Sequence, residues 1–243
     1  MTEYKNFRVE IEKLKTERQY VGFDGLINPE IYQRQKVKTV FLLKDPNGGK
    51  NPIDNIDIVK EFKETAENKE TPIRFPQMTM NLALWSAIVS KPSASIKEFC
   101  SDLRRGEVFL DLDKDMVRGY LSGIGIVNIS KRLGVGVNDK SSIDKKIQDS
   151  LNDEGEFNLL INQLDEFCPN LIVCGGTFDA ISDKYIKNND DVKVKMLDSG
   201  ARYFEKRGSV YMEFCHPSRI PYKYAFSHFK EVYNNLKNKK NWG

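Results

Sequence analysis

Three short runs of the chain are almost continuously apolar, at residues 39–43, 125–129 and 171–174. A strand that is buried on both faces reads as a continuous apolar run rather than as an alternation. Residues 192–197 alternate, and residues 209–214 are expected to pair with 201–205 across the turn Lys206-Arg207-Gly208. The pattern therefore predicts a central sheet covered on both sides.

Helical patterns separate these strands. The segment 78–89 is short and strongly apolar and predicts a buried helix, and helical spacing of apolar residues predicts four more helices. They are placed at 142–151, 156–167, 177–187 and 222–236. Strands that alternate with helices over some 200 residues predict a three-layer α/β/α fold with a mostly parallel sheet.

No break in composition divides the chain, so we expect one α/β domain over residues 1–243. Residues 1–37 are expected to form a helix and loop packed beside it, and 237–243 a frayed tail. The polar stretch 48–71 is the longest excursion from the pattern.

Composition narrows the class of protein. Hydrophobic residues make up 40% of the chain, charged residues 30% and aromatic residues 11%, as in a globular protein. No run approaches the ~20 apolar residues of a membrane span. The first 19 residues are charged throughout, so we expect no secretory signal.

The cysteines predict reduced thiols. Cys100, Cys168, Cys174 and Cys215 form no CxxC pair, and the chain has only 2 histidines. This argues against a zinc ribbon or an iron–sulfur cluster with locally paired ligands. We expect a cytoplasmic protein that needs no metal or other cofactor.

Candidate chemistry follows the predicted strands, because function in such sheets collects at the carboxyl ends of the strands. The first strand is followed by Lys44-Asp45-Pro46-Asn47, and the second contains Asn128. The third is followed by Gly175-Gly176-Thr177, and the last by His216-Pro217-Ser218-Arg219-Ile220. Each cluster also has a structural reading: a turn at Asp45, a satisfied core amide at Asn128, close packing at the glycines and a structural histidine.

The order of these motifs resembles the uracil-DNA glycosylase superfamily. The resemblance covers roughly residues 38–229 and depends on Asp-Pro after the first strand, Asn at a later strand end and His-Pro-Ser near the C-terminus. It implies an enzyme that extrudes a nucleotide and hydrolyses its N-glycosidic bond, acting on DNA as a monomer.

The resemblance also implies roles for individual residues. Asp45 would orient water and stabilise the sugar cation, and His216 would donate a hydrogen bond to the leaving base. Asn128 would read the base edge while Phe75 stacks on the base. DNA-contacting roles are implied for five residues at the same rim: the wedge Ile220, the phosphate-binding Ser218 and Arg219, and Gly175 and Lys44.

The motifs depart from the best-known members. Leu43-Lys44 stand where those members have Gly-Gln, and Asn47 stands where an aromatic residue excludes thymine. Arg219 replaces a proline, and no cysteine precedes Cys100, unlike in the iron–sulfur members. A base bulkier than uracil, damaged or modified as in phage DNA, would fit beside Asn47, so the implied role is repair or phage defence.

Two other functions stay open. The same fold can act as a nucleic-acid-binding module without turnover. Alternatively, an unrelated α/β nucleotide hydrolase can hold a phosphate at Gly175-Gly176-Thr177, although the chain has no Walker, GxSxG or GxGxxG motif.

Charge is unevenly distributed along the chain. The formal net charge is +3, but residues 201–243 hold nine Lys and Arg against three acids and carry +6, which leaves −3 on residues 1–200. The basic segment surrounds the His-Pro-Ser motif, where the resemblance requires DNA to bind.

Overall fold

A computed structural model describes residues 7–15, 20–44, 55–68, 76–98, 114–133, 140–188 and 192–242 of the chain. Its helices are α1 (Arg8–Glu12), α2 (Pro29–Gln33), α3 (Ile58–Glu67), α4 (Pro76–Ser90), α5 (Lys114–Ser122), α6 (Lys140–Asn152), α7 (Glu154–Phe167), α8 (Phe178–Asn188) and α9 (Tyr222–Lys240). Its strands are β1 (Gly22–Phe23), β2 (Gly25–Leu26), β3 (Thr39–Leu43), β4 (Ile56–Asp57), β5 (Ile124–Asn128), β6 (Leu171–Gly175), β7 (Lys195–Met196), β8 (Arg202–Lys206) and β9 (Ser209–Phe214).

Seven of these strands form one sheet in the order β2-β5-β3-β6-β9-β8-β7. The four central strands, β5, β3, β6 and β9, run parallel, whereas β2 pairs antiparallel at one edge and β8 and β7 at the other. The mixed α/β architecture with a mostly parallel sheet flanked by helices is thus confirmed.

Strand β3 explains why the central strands read as continuous apolar runs. Phe41 and Leu43 enter the hydrophobic core on one face of the sheet, and Val40 and Leu42 enter the core on the other. Successive side chains of a strand point to opposite faces, so a strand with two covered faces is apolar at most of its positions.

Helices α4, α5 and α9 cover one face, and α6, α7 and α8 cover the other. Helix α4 is deeply buried, and its Trp85 stacks on Phe229 of α9 at a centroid distance of 5.1 Å. The same ring meets the edge of Phe214 on β9 at 4.9 Å. This aromatic contact joins α4 to the last strand and the last helix.

A buried polar cluster forms the exception inside the apolar layers. The ammonium of Lys131 is fully buried and donates to Asp24 at 3.0 and 2.8 Å. Asp24 also accepts from the backbone N–H of Asn128 at 2.6 Å and from the amide of Gln163 at 3.0 Å. One carboxylate therefore connects the N-terminal segment, the end of β5 and helix α7.

Burial acts against the charge of Lys131. Complete desolvation lowers the pKa of its ammonium from the ordinary value, and the neighbouring Asp24 carboxylate opposes that shift. The ion pair persists in the interior because each charge is paired and further hydrogen-bonded.

Several elements differ from the sequence-based expectation. The segment 1–37 is more than a helix and loop, because it supplies β2 and the buried Asp24 to the main sheet. Residues 237–240 belong to α9 rather than to a frayed tail, since Lys239 and Lys240 pair with Asp198 and Glu205. The polar stretch 48–71 contains α3, which Asp57 caps. Only Lys195–Met196 of the predicted strand 192–197 forms a ladder.

Among the helices that the structure describes, none combines the length and the apolar character that crossing a membrane requires.

Replacing Lys131 with methionine should lower the free energy of unfolding by about 3–5 kcal/mol, because the Asp24 carboxylate is left buried without its counter-ion. Adding Asp24→Asn should recover part of that loss. Urea denaturation at pH 7 measures both. The control is Lys195→Met, which breaks an exposed ion pair with Glu205 and should change stability by less than about 1 kcal/mol. An equal effect of the two lysine substitutions would contradict the role of the buried pair.

Candidate active site

The carboxyl ends of the parallel strands form one edge of the sheet. Taken in chain order, the four parallel strands lie in the spatial order second, first, third, fourth, so the order reverses between β3 and β6. Crevices that bind ligands form at such a reversal. Lys44 follows β3 there, Gly175 ends β6, and His216 lies two residues beyond β9.

Gly175 and Gly176 let these strand ends approach each other. A Cβ atom on Gly175 would lie 2.7 Å from Leu43 Cδ2 and 3.3 Å from Pro217 Cδ. Gly176 has φ +72°, and a Cβ there would lie 3.6 Å from Lys44 Cε and 3.7 Å from His216 Cβ. Gly176 therefore lies between the end of β3 and the His-Pro-Ser loop, within van der Waals distance of a residue from each.

Gly175 itself is buried at the end of β6. Close packing explains the need for glycine at this position. Because Gly175 is buried, it cannot make the predicted contact with DNA in this arrangement. Gly176 is the exposed member of the pair.

The imidazole of His216 is held by the residue two positions later. The backbone N–H of Ser218 donates to His216 Nδ1 at 3.3 Å, and the Ser218 hydroxyl lies 2.8 Å from the same nitrogen. A backbone N–H can only donate, so Nδ1 is the acceptor and the neutral ring carries its proton on Nε2. Ser218 therefore fixes both the orientation and the tautomer of the ring.

Helix α4 supports this loop from beneath. The amide of Asn81 donates to the carbonyl oxygens of Pro217 at 2.6 Å and Ile220 at 2.9 Å. One turn earlier, Gln77 donates to the Ile220 oxygen at 2.9 Å. Sequence reasoning missed both residues, although a lone amide inside the apolar run 78–89 was a visible signal.

A cavity of about 350 Å³ opens beside Gly176. Lys44 lines it and pairs with Asp144 of α6 at 3.0 Å, so its ammonium is engaged within the protein rather than presented to DNA. Three further carboxylates line the same cavity: Asp179, Asp183 and Glu213. Lys44 and Arg202 offset part of this charge, but four carboxylates against two cations leave the cavity net negative, which disfavours a phosphate next to Gly175-Gly176-Thr177.

One arginine organises the acidic side of this cavity. Arg202 donates to both oxygens of Glu213 at 2.8 and 2.6 Å and pairs with Asp179 at 2.8 Å. These hydrogen bonds hold the pKa of Glu213 below its ordinary value. The arrangement ties β8, β9 and α8 together around the cavity.

Asn128 lies at the predicted strand end but not on an open surface. The residue is 1% exposed, and its side-chain Nδ2 donates to Asp24 at 3.3 Å. The core-amide reading of this residue describes the observed contacts. Reading a base would require its amide to be uncovered.

The rest of the His-Pro-Ser loop divides into exposed and packed residues. Ser218 and Arg219 are exposed. Ile220, the residue implied to be a wedge, is half-buried and packs against the core on the α4 side.

Of the remaining predicted site residues, Asp45, Asn47 and Phe75 lie outside the described residues.

The basic segment is less available to a partner than its sequence implies. Arg202, Arg207, Lys239 and Lys240 each pair with a carboxylate of the protein. Lys230 donates to the carbonyl oxygen of Ala94 at 2.6 Å. Arg219, three residues after His216, is an exposed cation.

Nucleophilic thiol chemistry is disfavoured at this site. Cys215 precedes His216, and burial raises the pKa of its thiol to about 11, so the thiolate is scarce at neutral pH. Burial also raises the pKa of Cys174. Within the described ranges, no group of His, Cys, Asp and Glu is arranged to hold a metal ion.

Neither a protein-family model nor a curated protein matches this chain.

Gly176→Ala should lower the free energy of unfolding by about 1–2 kcal/mol, because a left-handed backbone strains a residue with a Cβ atom. Gly176→Asn should cost less, since asparagine tolerates this conformation. Urea denaturation measures the series. As a control, Gly119→Ala in α5 meets open space and should raise stability by roughly 0.5–1 kcal/mol. A larger loss for asparagine than for alanine would mean that space, rather than backbone conformation, limits this position.

Proposed function

We propose that this protein is a DNA glycosylase-like enzyme that extrudes a nucleotide and hydrolyses the N-glycosidic bond of a uracil-like, damaged or modified base. The observation that carries the proposal is the approach of the His216 loop to the end of β3 across Gly176. The residue that follows Lys44 in the chain is Asp45, the other implied catalytic residue.

The chemistry requires charge stabilisation on both sides of one bond. As the bond from C1′ to the base nitrogen breaks, the sugar becomes cation-like and the base gains negative charge. Water then bonds to C1′, and the proton that it loses neutralises the departing base anion. A carboxylate at Asp45 stabilises the cation and orients the water. The Nε2–H of His216 donates to the base carbonyl, where the hydrogen bond strengthens in the transition state.

Two observations bear on the alternatives. The carboxylates around the cavity beside Gly176 disfavour a hydrolase that holds a phosphate there. Exposure of Ser218 and Arg219 suits contact with a nucleic-acid backbone whether or not turnover follows, so a binding module without activity remains the competing function.

Base excision is tested with end-labelled oligonucleotides that carry uracil, hypoxanthine, 5-hydroxymethylcytosine or a glucosylated base, followed by alkaline cleavage of abasic sites. We expect strand scission with at least one base. His216→Ala should lower the single-turnover rate about 10²–10³-fold, because one stabilising donor is removed. Asp45→Asn should also abolish most scission.

The matched control is His228→Ala, which removes an exposed histidine of α9 that has no assigned role. This variant should retain the wild-type rate. DNA binding without scission of any base would favour the binding module. The absence of both DNA binding and scission would overturn both functions.

Salt dependence tests whether Arg219 contacts a phosphate. Arg219→Gln should reduce the slope of log K against log salt concentration by about 1, because one fewer counter-ion is released on binding. Fluorescence anisotropy with a labelled duplex measures it. Lys239→Gln is the control, since its ammonium contacts Asp198 and the carbonyl oxygen of Met196 at the sheet edge. An unchanged slope for Arg219→Gln would exclude this phosphate contact.

A further inference from the structure

Asn81 is a polar side chain in the middle of a buried apolar helix. It is 0% exposed, and its neighbours in the chain, Met80 and Leu82, belong to the hydrophobic core. Its Nδ2 carries two hydrogens, and two carbonyl oxygens accept from it, those of Pro217 and Ile220. These acceptors lie 136 and 139 residues away in the chain.

The two acceptors enclose the part of the loop that holds the imidazole. Between them lie Ser218 and Arg219, and the Arg219 N–H donates to the His216 carbonyl oxygen at 3.0 Å, which closes a turn. Ser218 in turn donates to His216 Nδ1. Fixing Pro217 and Ile220 therefore fixes the backbone that selects the ring orientation and tautomer of His216.

The amide is unfavourable for the helix itself. Asn81 Oδ1 is buried and, among the described residues, accepts no hydrogen bond. An unpaired buried oxygen lowers stability, whereas a leucine of similar size would pack into the same apolar surroundings without that loss. The contribution of the amide is the contact with the loop.

We propose that Asn81 is a positioning residue of the candidate active site: it holds the 216–220 loop so that Nδ1 of the His216 imidazole stays the acceptor from Ser218 and the ring proton stays on Nε2. Its effect on catalysis rests on the proposed function, but its effect on the ring does not.

The chain offers a graded set of variants on one helix. Asn81→Leu removes the bonds to Pro217 and Ile220. Gln77→Leu removes only a bond to Ile220. Ser86→Ala removes a side-chain hydrogen bond from the same helix to the Tyr120 carbonyl oxygen and leaves the loop untouched.

The first measurement is the ¹⁵N chemical shifts of the His216 ring in the full chain, assigned with the His216→Ala variant. In the wild type we expect one acceptor nitrogen at Nδ1 and one protonated nitrogen at Nε2. Asn81→Leu should bring the two shifts closer together as the tautomers exchange, Gln77→Leu should do so less, and Ser86→Ala should leave them unchanged. Asn81→Ala is the second variant if leucine prevents folding.

The second measurement is the single-turnover excision rate together with DNA affinity. Asn81→Leu should lower the rate about 10–100-fold while affinity changes little, because a misplaced donor weakens the transition state more than the complex. If no base is excised by the wild type, the ring shifts still decide the positioning role. Wild-type shifts in both Asn81 variants would overturn the proposal and leave Asn81 as a purely structural residue.

Discussion

The buried hydrogen bonds of the Asp24 carboxylate connect the elements around the β5 edge of the sheet. It accepts hydrogen bonds from Lys131, Gln163 and Asn128, which lie 107, 139 and 104 residues away from it in the chain. Two buried charges in an apolar interior persist only when each is paired. The pair therefore holds the N-terminal segment against the carboxyl end of β5.

On the other face of the sheet, Asn81 is a buried polar side chain that connects separate elements. Its two hydrogen bonds connect α4 to the loop after β9, and one turn later Trp85 stacks on α9, the helix that follows this loop. The two buried polar groups thus act on the same edge of the sheet, where the parallel strands end. Elsewhere the layers meet mainly through apolar contacts, which bury area but define position less narrowly than a hydrogen bond.

The sequence predicted the parts of the fold that a continuous or periodic apolar pattern records. Strands β3, β5 and β6 were visible because both faces are buried, and α4 because most of its residues are apolar. Strand β2 was not, since two residues have no periodicity and their pairing follows from the burial of Asp24. At the site, strand-end reasoning brought His216, Gly176 and Lys44 together. It could not reveal that Ile220 packs inward or that Lys131 is buried, because both depend on contacts far along the chain.

The loop between β9 and α9 is secured at both ends and from below. Its first residues continue a paired strand, its last residue begins a packed helix, and its carbonyl oxygens are held by Asn81 and Gln77. A ligand that meets His216 therefore encounters a group whose conformational entropy was already lost when the chain folded. Association does not need to order this loop, so more of the contact free energy is retained as affinity or as transition-state stabilisation.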